Sequence, residues 1–181
     1  ALAKKHNLLI IEDCAHSFGS RWNGQLPGTF GDVSILSFGR DKSLSSVFGG
    51  VALTRRPDIA ARLKTLQQQA PIPPRTWIAR QLFHPIALAI SRKTYDFFSF
   101  GKLFLEVCKR LHLISKAFEP TERRGGHPSW AHHRLANALA ALALHQWKKR
   151  ERFDAHRRKI AAIYQKELHS SCIQPHPPEH A

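Results

Sequence analysis

"DVSILSFGRDK" (32–42) is the stretch on which the reading of the chain turns. Val33, Ile35, Leu36 and Phe38 give an apolar run of strand length, and Ser37 stands at its end. Lys42 follows five positions after that serine, in a loop of glycine and serine. Upstream, "NLLII" (7–11) is a continuous apolar run ending in Glu12 and Asp13, the pattern of a strand buried on both faces. "RWNGQ" (21–25) carries an Asn-Gly turn and predicts a small hairpin. Downstream, Gly49-Gly50 predicts a turn and "VALT" (51–54) a third strand. A helix is predicted from Pro57 through Ile59, Leu63 and Leu66. Residues 1–60 therefore read as α/β.

The rest of the chain is helical in pattern. "APIPPR" (70–75) interrupts it. Residues 76–118 form an aromatic-rich, basic block. On a helix its Leu103, Phe104, Val107, Cys108 and Leu111 share one face, and Lys102, Glu106, Lys109 and Arg110 another. "TERRGGHP" (121–128) predicts a loop, followed by a long helix from near Ser129 and another over 156–168. The tail after Ser171 is expected to be disordered. No internal repeat is visible.

Composition narrows the partners. The 181 residues carry a net charge of +15. Residues 1–60 hold seven Lys/Arg against five Asp/Glu, and residues 61–181 hold 21 against eight. Such an excess favours nucleotides, anionic lipid or nucleic acid, set against the plainer reading of a solvated surface. "KKRER" (148–152) has no interleaved aromatics, so nucleic acid is not expected. His127, His132 and His133 lack cysteine or carboxylate company at ligand spacing, so no metal is expected. Cys14, Cys108 and Cys172 are odd in number and form no CxxC pair, which fits a reducing, cytoplasmic setting. The chain contains no methionine and opens in mid-phrase, so it reads as a piece of a longer protein. No apolar run reaches the roughly 18 residues of a membrane span.

In open α/β sheets, ligands bind beyond the carboxyl ends of the strands. Asp13 stands at one such end, Ser37 at another, and Lys42 in the loop after it. A carboxylate, a hydroxyl and a primary amine at one crevice suit pyridoxal phosphate. Its aldehyde needs the amine, its ring nitrogen the carboxylate, and its phosphate the hydroxyl and backbone N–H groups. Each residue also has a plainer reading: Lys42 as a solvated loop lysine, Asp13 as a cap on the next turn, and Ser37 as a strand-end serine.

"IIEDCAHSFGSRWNGQLPGTFGDVSILSFGRDKSLSSVFGG" (10–50) resembles the core of the DegT/DnrJ/EryC1/StrS aminotransferases, and "RLANALAALALHQWKKRERFDAHRRKIAAIYQKEL" (134–168) is similar to two later helices of that family. The resemblance implies a fragment of the type I, aspartate aminotransferase-like fold, a mixed sheet with flanking helices. Lys42 would hold pyridoxal phosphate covalently and later shuttle a proton. Asp13 would pair with the ring nitrogen and Ser37 would bind the phosphate. His16 falls where most members carry a glutamine near the cofactor ring. Dehydratase members carry histidine at the lysine position, so Lys42 points to transamination.

The implied substrates are a nucleotide-linked keto-sugar and an amino donor, glutamate, for surface polysaccharide or amino-sugar synthesis, in a cytoplasmic homodimer. Residues 1–69 would be part of the large cofactor-binding domain, and 70–125 an amphipathic helical insertion. Residues 126–170 would lead towards the small C-terminal domain, with 171–181 a truncated tail. By this reading the isolated piece is inactive. Two departures stand out: Phe48 where the family has glutamate before Gly-Gly, and His132 where it has asparagine. The apolar face of 76–118 is expected to be covered by a partner subunit; the other reading is an in-plane helix on the inner, anionic face of a membrane. The alternative for the whole is a non-catalytic or membrane-peripheral protein that kept the fold.

Overall fold

Strands β1 (Ile11–Asp13), β2 (Val33–Ser37) and β3 (Gly50–Thr54) form one sheet in that order. The computed structural model describes residues 2–115, 121–128 and 130–168. β1 and β2 run parallel, with Ile11 opposite Val33 and Asp13 opposite Ile35. β2 and β3 run antiparallel, with Ser37 opposite Gly50. The carboxyl ends of β1 and β2 and the start of β3 therefore share one end of the sheet, and the loops bearing His16 and Lys42 leave from it.

Gly50 is required there. A Cβ on it would lie 2.7 Å from the carbonyl oxygen of Leu36, so only glycine lets β3 begin this close to β2. The Gly-Gly pair is thus half turn and half strand: Gly49 takes φ +122°, and Gly50 is already in the ladder. The hairpin predicted at 21–25 is present. Trp22 and Gln25 exchange backbone hydrogen bonds of 2.8 and 2.9 Å around left-handed Asn23 and Gly24.

The strand expected over 7–11 begins only at Ile11, and its apolar residues are not buried. Leu9 and Ile11 are 62 % and 66 % exposed. Among the described residues β1 pairs with β2 alone, so its other side is uncovered here, and its ladder starts where Val33 begins.

β1 is tied down instead by Glu12. Its carboxylate accepts the N–H groups of Gly31 (2.6 Å), Gly28 (2.8 Å) and Phe30 (2.8 Å). Partial burial pushes the Glu12 carboxyl up, but those three donors together outweigh it and hold the group below its ordinary value. A depressed carboxyl stabilises the fold above the ordinary Glu value of ~4.3 and loses that contribution as pH falls through the lowered one. Glu12→Gln in the full-length protein is therefore expected to be less stable at neutral pH. It should also show a flatter loss of stability on acidification below about pH 4.3, read from denaturant titrations at several pH values.

After β3 comes α2 (Pro57–Gln69), started by proline at its first position as predicted. The block 76–118 folds as a helical hairpin, α3 (Arg75–Lys93) and α4 (Phe100–Arg110), with residues 116–118 outside the described residues. Ala87, Cys108 and Ile114 form its core, and Phe83, Phe104 and Leu105 pack against them. Phe104 therefore turns inward, away from the exposed Leu103, Val107 and Leu111. The single apolar face read from the sequence is divided between core and surface.

The two helices touch at Ser91 and Gly101. Ser91 Oγ donates to the Gly101 carbonyl at 2.9 Å, and a Cβ on Gly101 would collide with the Ser91 carbonyl oxygen. Gly→Ala inside a helix ordinarily stabilises by up to ~1 kcal/mol. Gly101→Ala is expected to have the opposite sign, about 1–3 kcal/mol destabilising, because the obstacle is backbone that cannot move aside alone. Equilibrium unfolding of the full-length variant checks this.

The helix predicted from near Ser129 begins later, as α5 (Asn137–Trp147). Ser129 itself lies outside the described residues. The segment before α5 is committed elsewhere: Arg134 N–H donates to Pro71 O at 3.0 Å, and Ala136 is buried. α6 (Arg150–Glu167) covers the second predicted helix. The tail 171–181 and its Cys172 lie outside the described residues.

Candidate active site

Two loops build the site. After β1, Asp13 Oδ1 accepts the Ala15 N–H at 3.0 Å, which turns the chain and carries His16 back over the sheet end. After β2, Ser37 Oγ accepts the Gly39 N–H at 3.3 Å, and Lys42 N–H donates to Gly39 O at 3.2 Å. This tight turn directs Lys42 towards the first loop. Its Nζ lies 2.6 Å from His16 Nε2 and 3.1 Å from Asp41 Oδ2. The Lys42 side chain is only 13 % exposed, so the amine is largely withdrawn from water. At this spacing one nitrogen must accept, and for an ammonium that is His16 Nε2, with the ring proton on Nδ1. The Asp41 carboxyl is held below its ordinary value, chiefly by the hydrogen bond from Lys42.

α6 closes one side. Arg157 Nη2 donates to Ser43 O at 2.8 Å. Together with His16, Asp41 and Lys42 it lines a depression of about 260 Å³. Asp154, paired with Arg157 at 3.4 Å, sits against Gly19 so closely that a Cβ there would meet its carboxylate at 2.9 Å. α6 therefore rests on both loops at once.

The other side opens into a cavity of about 440 Å³ that reaches Ser37, Gly39 and Asp41. Phe48 stands in its wall. It packs edge-on against Trp77 at 5.1 Å and Trp130 at 4.1 Å between ring centres, an aromatic knot where a carboxylate was expected. His133, rather than His132, lines this cavity.

The loop between Ser37 and Lys42 is pinned from outside. Arg40 donates to Ser115 O at 2.8 Å, to Ser115 Oγ, and to Gln81 Oε1 at 3.1 Å. Gln81 is 1 % exposed, and burial lowers the pKa of the Arg40 guanidinium from its ordinary value. The helical hairpin is thus joined to the lysine loop by a buried polar cluster.

Of the four residues singled out by sequence, the structure brings Lys42 and His16 into contact. It sets Ser37 at the mouth of the larger cavity. Asp13 is exposed, one strand away, on its own turn. Sequence reasoning missed Asp41, Arg40 and Arg157. Asp41 was discoverable as the acid adjoining the lysine. Arg157 was not, since it meets Ser43 across 114 positions.

The chain is 27 % identical over 175 residues to the GDP-perosamine synthase of Escherichia coli O157:H7, covering 97 % of this chain and 35 % of that protein. It is 41 % identical over 68 residues to the UDP-N-acetyl-3-dehydro-alpha-D-glucosamine 3-aminotransferase of Acidithiobacillus ferrooxidans, covering 37 % of this chain and 18 % of that one. It spans about a third or less of these relatives. Among solved structures, the aminotransferase TlmJ from Streptoalloteichus hindustanus superposes with a TM-score of 0.57 at 21 % identity, over 99 % of this chain and 37 % of that one. Helicobacter pylori PseC gives 0.54 at 22 %, over 91 % and 32 %. The fold of these aminotransferases is the fold of this fragment. The DegT/DnrJ/EryC1/StrS aminotransferase profile matches residues 1–79 and 105–181, and the chain belongs to that family.

Proposed function

We propose that the full-length protein is an aminotransferase that moves an amino group from glutamate to a keto-sugar linked to a nucleotide, for amino-sugar or surface-polysaccharide synthesis. The family's aminotransferases depend on pyridoxal phosphate. The observation that carries the reading is the Lys42 amine, mostly withdrawn from water and held by His16 and Asp41 where the β1 and β2 loops meet.

In this reading Lys42 would supply the amine, Ser37 with the N–H groups of its turn the donors for the phosphate, and Asp13, exposed on the turn after β1, the carboxylate for the ring nitrogen. When bound, pyridoxal phosphate supplies an electron sink for the carbon that loses its proton. With the cofactor bound, Lys42 Nζ would serve as the base that takes the proton from the donor's Cα. His16 Nε2 orients that amine, and Asp41 lies beside it. Asp13 holds a proton on the ring nitrogen throughout. Arg157 adds positive charge to the same depression, which suits anionic substrates. The working unit in this reading is a homodimer in the cytoplasm, free or held at the inner face of a membrane.

Purification of the full-length protein tests this. It should be yellow, and borohydride should fix the cofactor on the peptide containing Lys42. Glutamate should convert a nucleotide-linked keto-sugar to its amine. A colourless protein that transfers nothing after incubation with cofactor would overturn the proposal.

A further inference from the structure

The tip of the α3–α4 hairpin, "TYDFFSF" (94–100), holds four aromatic residues within six positions. Tyr95, Phe97, Phe98 and Phe100 are 60 %, 70 %, 93 % and 48 % exposed. Phe98 and Ser99 take left-handed φ of +45° and +57°, the turn that places these rings at the end of the hairpin. Such rings cost free energy in water and mark a surface that something covers. Arg92 and Lys93 end α3, Lys102 begins α4, and all three are exposed; Asp96 is the single acid between them.

Aromatic rings with basic residues behind them match a lipid headgroup layer. The rings enter the boundary between headgroup and acyl chain, and the cations meet anionic phosphates. Two observations favour lipid over protein. Three exposed cations, Arg92, Lys93 and Lys102, flank the rings with the single acid Asp96 among them, the charge balance that an anionic headgroup layer attracts. And residues 80–104 fall outside the segments that the family profile matches, so the tip is not part of the pattern the profile describes.

We propose that this tip is a peripheral docking site for an anionic phospholipid surface. Among the described residues no helix is long and apolar enough to cross a membrane, so the contact lies in the interface plane. Thirteen helical residues separate Gln81, which pins the lysine loop, from the tip. That is roughly 20 Å of helix at 1.5 Å per residue, so the contact is made away from the lysine loop.

Full-length protein should sediment with vesicles of phosphatidylcholine containing about 30 % phosphatidylglycerol at low salt, and far less with phosphatidylcholine alone. The double variant Phe97→Ser, Phe98→Ser should weaken that binding by about tenfold or more, since both rings are solvent-exposed and the fold does not need them. Replacing Arg92, Lys93 and Lys102 with glutamine should remove the salt-sensitive part. Absence of binding to anionic vesicles at low salt overturns the proposal, as does binding untouched by the double phenylalanine variant. Self-association that this variant abolishes, without vesicle binding, also overturns it and assigns the tip to a protein partner.

Discussion

Lys42→Ala in the full-length protein should abolish amine transfer, by roughly four orders of magnitude or more, and remove the visible absorbance of the covalently held cofactor. Both losses follow from one nitrogen. In the proposed reading the amine that would anchor the cofactor is also the base that would take the donor's Cα proton, and no neighbour supplies both roles. His16 Nε2 is 2.6 Å away, but an imidazole cannot form the covalent link that a primary amine forms with the cofactor's aldehyde. Asp41 sits 3.1 Å off, 70 % exposed, and a solvated carboxylate is a poor base at neutral pH that cannot form the covalent link. Arginine should not rescue, because a guanidinium neither forms the covalent link nor gives up a proton. Folding should survive, since among the described residues the Lys42 side chain bonds to His16 and Asp41, both exposed, and its backbone turn does not need the side chain. Retained absorbance and turnover in Lys42→Ala would mean that the amine lies elsewhere.

The part of the fold readable from sequence was the part held by local rules. The Asn-Gly hairpin, proline at the start of α2 and the strand-serine-turn-lysine run each depend on neighbours a few positions apart, and each is present. What misled was long-range. "NLLII" has the composition of a buried strand, yet its burial depends on what flanks β1, and among the described residues only β2 does. α5 begins at Asn137 because the residues before it are spent on Pro71 and the cavity wall, neither visible in a helical pattern. Phe104 lies on the apolar side of α4 by periodicity, but only the docking of α3 decides that it points inward.

The same division holds at the site. The positions of Asp13, Ser37 and Lys42 were legible because each ends a strand or follows one. Arg40 and Gln81 were not, because their partnership joins a loop of the framework to the hairpin. This cluster gives the α3–α4 hairpin a role beyond an amphipathic surface: its base anchors Arg40, two residues before Lys42.

Asp13→Asn separates charge from structure at the second residue. The native carboxylate accepts the Ala15 N–H through Oδ1, and an asparagine amide oxygen does so equally well. The turn, and with it His16, should therefore stay in place, and the variant should still bind the cofactor with its visible absorbance intact. What it loses is the negative charge that keeps a proton on the ring nitrogen. Without that proton the ring is a weak electron sink, and removal of the donor's Cα proton should slow by two to four orders of magnitude, as for other loss of aimed electrostatic support. Asp13→Ala should show the same catalytic loss and a lower melting temperature, because the turn loses its acceptor as well. The comparison is the test. Near-native turnover in Asp13→Asn, measured by single-turnover reaction with glutamate, would leave Asp13 as a turn residue alone and require another carboxylate at the ring nitrogen.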